Sequence, residues 1–240
     1  MHYQDLEFQR VSKLFSGWTS SHPRPLRVLD YGCGRGKYLR RLREIGCDVV
    51  GADVNEHYIE EGEAAGFRVY DALKFDFAHL RFDIIFLSHL VEHLGPDDLV
   101  VLIPRLCDLL EPGGRLVLST PVLGERFYHD FSHVRPYYPQ SIRHAFGQQV
   151  SPLSYAPARL IELTDIHFFR DPYRTRTWRS FYVGPAWQRG MVTLLNAGFD
   201  LMWKISGRRI GALASWLGVY EKVPPARDSG NVRPADGSSP

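Results

Sequence analysis

The residues whose types and spacing could do chemistry fall into two sets. The first is Val28-Leu29-Asp30-Tyr31-Gly32-Cys33-Gly34-Arg35-Gly36. An apolar run meets an acid, then a glycine-rich turn that opens a helical pattern. Glycines there allow positive φ and let the backbone pass close to a ligand. A helix start also offers N–H groups without intrahelical partners. By itself Gly-x-Gly-x-Gly fits a dinucleotide site or a plain strand–helix turn. Asp30 helps to separate these. A carboxylate ahead of the turn can accept hydrogen bonds from the turn's own amides, and it would repel a pyrophosphate. It therefore favours a ligand carrying an ammonium or sulfonium charge. Asp53 stands where a carboxylate can take both hydroxyls of a ribose. Asp71, followed by Ala72, stands where an acid could accept an adenine amino group. Cys33 suits the turn by its small size, and covalent or redox chemistry is not expected of it.

The second set carries histidines: Ser88-His89-Leu90-Val91-Glu92-His93, and the stretch FYHDFSHVRPYY from Phe127 to Tyr138. Histidine is the side chain whose ordinary pKa allows base chemistry near neutrality. His133 is the first candidate for a base or an acceptor-orienting group. Glu92 and His93 join it as candidate catalytic residues, and Arg135 could hold a phosphate or carboxylate. Plainer roles stand beside these: Glu92 and His93 as pocket wall, His133 as a loop hydrogen-bonder. His89, Glu92 and His93 recur at i, i+3 and i+4, which is one face if the segment is helical. With His133 they would form a four-ligand set of nitrogen and oxygen donors for a divalent metal.

Positioning these groups takes a scaffold of alternating elements. Apolar spacing (Leu6, Val11, Leu14, Phe15) predicts a helix over residues 1–20, ended by the Pro-rich SSHPRP. Strands are expected at 26–29, 48–52, 67–70, 82–87 and 115–120, the last after a Gly113-Gly114 turn, with helices over 36–45, 55–65 and 96–110. That alternation implies a parallel sheet with helices on both faces. FDIIFL at 82–87 is apolar enough to be buried on both sides. The three acids and both histidine clusters then follow strand C-termini, on the rim beside the usual ligand crevice. Beyond 120 the rhythm changes to a loop-rich stretch, a short helix at 140–146, and strands at 159–168 and 216–223. Between those strands, residues 170–210 carry eight Lys/Arg, two acids and seven aromatics. This is an insertion, expected to be helical from about Trp187. It reads as a cover over the acceptor pocket, a contact with an anionic membrane, or an RNA-phosphate site, against a plain amphipathic helical pair packed on the sheet.

In order and spacing these segments resemble the class I S-adenosylmethionine-dependent methyltransferases, on the side of the ubiquinone-type small-molecule enzymes. VLDYGCGRG resembles the family's first motif, VVGADV the acidic second-strand motif, VYDALKF the third, FDIIFLSHLVEHL the fourth, and LCDLLEPGGRLVLSTP the following helix and fifth strand. The resemblance spans about residues 26–147. It implies a Rossmann-like, doubly wound α/β fold: a mostly parallel seven-stranded sheet, helices on both faces, a helical insertion before the last strand, and that strand antiparallel. It implies S-adenosylmethionine as methyl donor. Asp30, Gly32, Gly34 and Gly36 would lie around its methionine portion, Asp53 at the ribose, Asp71 and Ala72 at the adenine, and Ser88 near the sulfonium. The reaction expected is methyl transfer to a hydroxyl oxygen of a small or glycan/lipid-linked acceptor. The histidine pattern also resembles the Glu-x-x-Glu-His site, with a downstream His, of metal-dependent RNA 2′-O-methyltransferases. Here His89 replaces the first Glu, which lowers affinity for hard cations, and no metal is predicted. Metal-assisted RNA 2′-O-methylation and a non-catalytic S-adenosylmethionine-binding module remain the alternatives, with a NAD-dependent oxidoreductase as the weakest rival.

Composition agrees. The chain has 240 residues, 44% hydrophobic and 23% charged, which suits a single domain over 1–223 with its own core. Within it, 1–25 form an N-terminal helix and linker, 26–120 the cofactor-binding half, 121–169 the acceptor-side loops and strand, and 170–215 the basic aromatic insertion. Residues 224–240 are low in apolar content and expected to be disordered. A formal net charge of +2 makes no global demand for a nucleic-acid partner. Cys33, Cys47 and Cys107 are too few for a disulfide scaffold and read as reduced thiols. The start of the chain lacks an apolar signal core, and no run of eighteen apolar residues exists. A cytoplasmic location is expected, with peripheral contact at the inner membrane face through 170–210.

Overall fold

The computed structural model describes residues 3–124, 127–147, 159–175 and 178–224. The chain order is α1 (Tyr3–Ser21), β1 (Arg27–Tyr31), α2 (Lys37–Glu44), β2 (Asp48–Asp53), α3 (Glu56–Ala64), β3 (Arg68–Asp71), β4 (Phe82–Ser88), α4 (Pro96–Leu109) and β5 (Leu110–Pro121). It continues through α5 (Pro139–Phe146), β6 (Ile161–Asp171), α6 (Arg179–Tyr182), α7 (Ala186–Ile205) and β7 (Ala212–Lys222). The seven strands form one sheet in the order β3-β2-β1-β4-β5-β7-β6. β1 to β5 pair in parallel, and β7 runs antiparallel between β5 and β6. The expected seven-stranded, doubly wound architecture is present. The expected tail at 224–240 lies outside the described residues from 225 onward.

Period-two alternation explains why near-continuous apolar strands suit this sheet. Leu29, Ile85, Leu87, Leu116 and Trp216 point into one core, which α4 and α5 cover with Leu99, Ile103 and Phe146. Their neighbours Val28, Ile84, Phe86, Val117 and Leu217 point into the other, covered by α1 and α2 through Val11, Phe15, Leu39 and Leu42. Local signals set the helix starts. The Asn55 side chain accepts from the His57 amide at 3.0 Å ahead of α3, an N-cap bond. Pro96 opens α4, and Asp98 accepts from the Gly95 amide at 3.0 Å. Some boundaries differ from expectation: β6 extends to Asp171, β7 begins at Ala212 rather than 216, and the largest difference is at β5. Gly113-Gly114 does not precede β5 but lies within it, as a register shift: Phe82 pairs with Leu110 while Ile84 pairs with Arg115. Gly113, at φ +73°, lets the strand absorb this bulge.

The chain winds from β1 towards β3 and then returns to start again at β4. The carboxyl ends of β1 and β4 therefore flank the switch point, where open α/β sheets bind ligands.

Candidate active site

The turn after β1 takes the conformation its glycines allow. Gly32, Gly34 and Gly36 have φ of +82°, +51° and +71°. A Cβ on Gly32 would also lie 3.0 Å from Leu90 Cδ1. The turn's amides are not given to Asp30, which corrects the expected stapling role. Gly32 and Cys33 donate instead to the Ala52 carbonyl, at 2.7 and 3.1 Å. Gly34 donates to Asp53 Oδ2 at 2.8 Å. Asp30 is left buried, with neither carboxylate oxygen hydrogen-bonded. Burial, reinforced by the charge of Asp53, pushes its pKa up to about 7. A buried carboxylate without a partner is costly and is relieved by a cationic donor. It lines a cavity of about 400 Å³ together with Gly32, Gly34, Ser88 and His89. An ammonium-bearing ligand such as S-adenosylmethionine fits this arrangement.

The other rim residues are placed at strand ends as expected, with different commitments. Asp53 Oδ1 accepts from the Asn55 amide at 2.9 Å, so each of its oxygens carries one backbone donor and keeps a lone pair for a hydroxyl. Asp71 pairs with Asp53 in the β2–β3 register. Its pKa is lowered, first by Lys74, whose ammonium lies 2.8 Å from Oδ2, and then by the Leu73 amide. The Ala72 amide is spent on the Asp53 carbonyl at 2.9 Å. The Cys33 thiol is buried and pushed up, not activated.

The second cluster is organised around a residue that the sequence reading missed. Glu7, on α1, is 1% exposed and reaches the end of β4. Its Oε1 lies 3.0 Å from His89 Nε2, and Ser215 donates to its Oε2 at 3.1 Å. The other ring nitrogen of His89, Nδ1, lies 3.1 Å from Glu92 Oε1. Glu92 is fully buried, and its second oxygen accepts from Thr120 Oγ1 at 2.9 Å. Burial works against a charged His89, but the two carboxylates overcome it and raise its pKa to about 10. Burial likewise opposes ionised Glu7, yet His89 beside it holds its carboxyl lowered. His89 is therefore a cationic link between two buried acids. Its φ of +52° is unusual for a side chain other than glycine. The signal for Glu7 was present in the sequence. Glu7, Val11 and Phe15 are spaced by four, so an acid occupies the stripe of α1 that meets the core.

The same geometry bears on the alternative of a metal face. Residues 91–93 form a short 3₁₀ turn, and His89 lies outside it, turned to Glu7. Glu92, His93 and His133 do come together, with one ligand atom of each within 4.8 Å of the others. Both Glu92 oxygens already hold hydrogen bonds, and the fourth expected ligand is engaged elsewhere. This set does not fit the four-ligand site as arranged.

What it does provide is an oriented imidazole. His133 Nδ1 lies 2.7 Å from the Phe127 carbonyl, which can only accept, so Nδ1 carries the proton. Nε2 is then the basic nitrogen. The carbonyl of Glu92 accepts from the amides of Val134 and Arg135 at 2.8 and 3.2 Å, stapling the histidine loop to the end of β4. Tyr137 adds a bond from its hydroxyl to the Leu94 carbonyl at 3.0 Å. His93 packs edge-on to His133 with ring centroids 4.8 Å apart. Arg135 lies over the Tyr137 ring at 5.8 Å and is exposed.

Comparison with known proteins agrees with this fold. A methyltransferase-domain profile matches residues 2–191. Among curated relatives, the ubiquinone biosynthesis O-methyltransferase of Chelativorans sp. (strain BNC1) is 32% identical over 119 residues, 46% of this chain and 43% of that protein. The protein of the same name from Agrobacterium fabrum is 34% identical over 122 residues, 46% and 48% of the two chains. The chain thus spans less than half the length of these relatives. A SAM-dependent methyltransferase from Archaeoglobus fulgidus has the same fold, with a TM-score of 0.55 at 21% identity, covering 89% of this chain and 94% of that one. Magnesium protoporphyrin IX methyltransferase from Synechocystis, solved with bound SAM, superposes at a TM-score of 0.53 and 14% identity, covering 91% and 81%. With the motif order, the sheet and the profile in accord, this chain belongs to the methyltransferase-domain family, as a class I S-adenosylmethionine-dependent methyltransferase.

Proposed function

We propose that the chain transfers a methyl group from S-adenosylmethionine to a hydroxyl oxygen of a small acceptor, glycan- and lipid-linked acceptors included. The observation that carries the reading is Asp30, buried and unpartnered at the switch point. In this reading Asp30 receives the ammonium of the methionine portion, and the turn from Gly32 to Gly36 passes its backbone along that portion. Asp53 takes the ribose hydroxyls on its remaining lone pairs, Asp71 and Ala72 border the adenine, and Ser88 stands near the sulfonium. Transfer is an in-line displacement: the acceptor oxygen bonds the methyl carbon as the carbon–sulfur bond breaks, and sulfur keeps the electron pair. The donor already carries a good leaving group. The protein's work is to align the acceptor and remove its proton. His133 Nε2 takes that proton, with Nδ1 fixed by the Phe127 carbonyl. Glu92, whose oxygens are engaged, positions the loop and His89, while His93 packs on His133. The curated relatives, named for O-methylation in ubiquinone biosynthesis, support a small hydroxyl-bearing acceptor. Exposed Tyr128 and Phe131, in the same loop as His133, offer aromatic surface for one.

The test is calorimetry with S-adenosylhomocysteine, followed by labelled-methyl transfer to a panel of phenols and hydroxylated glycolipids. Binding with transfer to one class supports the reading. No affinity for S-adenosylhomocysteine overturns it, and binding without transfer to any member would favour a non-catalytic binding module.

A further inference from the structure

α7 presents its apolar side to solvent. Val192 and Trp203 are its buried residues, and they lie together on a wheel of about 100° per residue. The arc across the helix from them, about 80° to 180° round the wheel, carries Trp187, Met191, Leu194, Leu201, Met202 and Ile205, which are 64%, 63%, 75%, 59%, 37% and 76% exposed. These recur at the i, i+4, i+7 spacing of a continuous stripe. A contiguous exposed apolar stripe of this kind marks an interaction surface. No helix of the described residues is long and apolar enough to cross a membrane.

Charge indicates what covers the stripe. Residues 178–210 contain Arg179, Arg189, Lys204, Arg208 and Arg209 and a single acid, Asp200. Asp200 is committed to Arg174, with two contacts at 2.8 and 3.0 Å. At the C-terminal end of α7 a groove of about 570 Å³ opens between α1 and β6. Arg10, Lys13, Arg170, Arg208 and Arg209 line it, with no acid among the lining residues. Arg10 is paired with Asp165 at 3.2 Å, and Arg170 donates to the Gly211 carbonyl at 2.9 Å. Lys13 and Arg209 are exposed. Burial, together with Arg10, holds His167 in this groove below the ordinary imidazole value.

We infer that α7 and this groove form a docking surface for an anionic lipid bilayer: the apolar stripe enters the acyl boundary, and the groove takes phosphate headgroups. An exposed apolar arc flanked by uncompensated cations is the pattern of an interfacial helix. A second protein copy would place these same cations against one another. The inference stands apart from the methyl-transfer reading, since docking is measured with no acceptor present.

The experiment is flotation of the full chain with phosphatidylcholine vesicles, with and without phosphatidylglycerol. Wild type floats with the phosphatidylglycerol vesicles, less so as salt rises. Lys13→Ala with Arg209→Ala lowers the partition coefficient by about 25-fold, at about fivefold per basic residue. Leu194→Asp with Ile205→Asp abolishes flotation. All variants keep the wild-type affinity for S-adenosylhomocysteine, which certifies their fold. Equal flotation on both vesicle types, or none, overturns the inference. So does a wild-type dimer that the Leu194→Asp, Ile205→Asp variant dissociates without any vesicle binding. Thermal protection by inorganic phosphate, lost in the Lys13→Ala, Arg209→Ala variant and unaccompanied by flotation, assigns the groove to a free anion and equally overturns it.

Discussion

Glu7→Gln removes one of the two carboxylates that keep His89 charged and leaves the shape of the side chain nearly unchanged. His89 rises from an ordinary 6.5 to about 10 in the folded protein. At about 1.4 kcal/mol per pKa unit, the two carboxylates leave a net gain on the order of 5 kcal/mol after the opposing cost of burial. Glu7 faces one ring nitrogen and Glu92 the other, so Glu7 alone accounts for on the order of 2–3 kcal/mol. The sign follows from linkage. A histidine whose folded pKa is raised contributes fully below its unfolded value, and that contribution is lost as pH rises through the folded value. The window here is 6.5 to about 10. The gap between wild type and Glu7→Gln is therefore full near neutral pH, where His89 is protonated in both folded proteins, and it closes as pH approaches 10. Urea unfolding followed by tryptophan fluorescence at pH 7 and pH 10 measures it. At pH 7 the melting temperature falls by about 5–10 °C for a domain of this size. A destabilisation of the same size at both pH values refutes the ion-paired assignment and leaves Glu7 a packing residue.

Three further outcomes follow from the rim and the histidine loop. Asp30→Asn stabilises the ligand-free protein at pH 8 by about 2–4 kcal/mol, because a carboxylate whose folded pKa is raised destabilises the fold as pH climbs from its unfolded value towards 7. The same change weakens S-adenosylhomocysteine binding by about 10- to 100-fold, the value of a hydrogen bond to a charged group; urea titration and calorimetry read the two effects, and a variant that gains stability without losing affinity breaks the link to the ligand's ammonium. His133→Ala lowers kcat by about 10²- to 10⁴-fold with the S-adenosylhomocysteine Kd unchanged, and an unaltered kcat removes His133 from the chemistry. Gly32→Ala costs about 1–2 kcal/mol from the left-handed backbone alone, and the contact with Leu90 adds to it; thermal unfolding reports the loss, and a wild-type melting temperature contradicts the strained turn.

By itself the sequence determined the sheet and the rim. Apolar runs of four to six residues, separated by helical periodicity, have one efficient burial, between two layers of helices. Once that sheet exists, the glycines and acids that follow each strand must collect along one edge, because parallel strands all end on the same side. Local patterns of that kind are written in consecutive residues. What the consecutive residues do not contain is who receives each hydrogen bond. The i, i+3, i+4 spacing of His89, Glu92 and His93 suggested a single ligand face, but the residue just after β4 takes φ +52° and turns away. Its partner, Glu7, lies 82 positions earlier, and only packing α1 across the sheet brings the two within 3.0 Å. Asp30 likewise reads as a turn-stapling acid until the sheet's register gives the turn's amides to Ala52 and Asp53 and leaves the carboxylate alone. Amphipathicity in 186–205 was legible as periodicity, but the choice of Val192 and Trp203 as the packed side, with the richer apolar arc facing solvent, belongs to tertiary structure. A helix wheel fixes which residues share a face, whereas the surface against which that face comes to rest is decided by the rest of the fold.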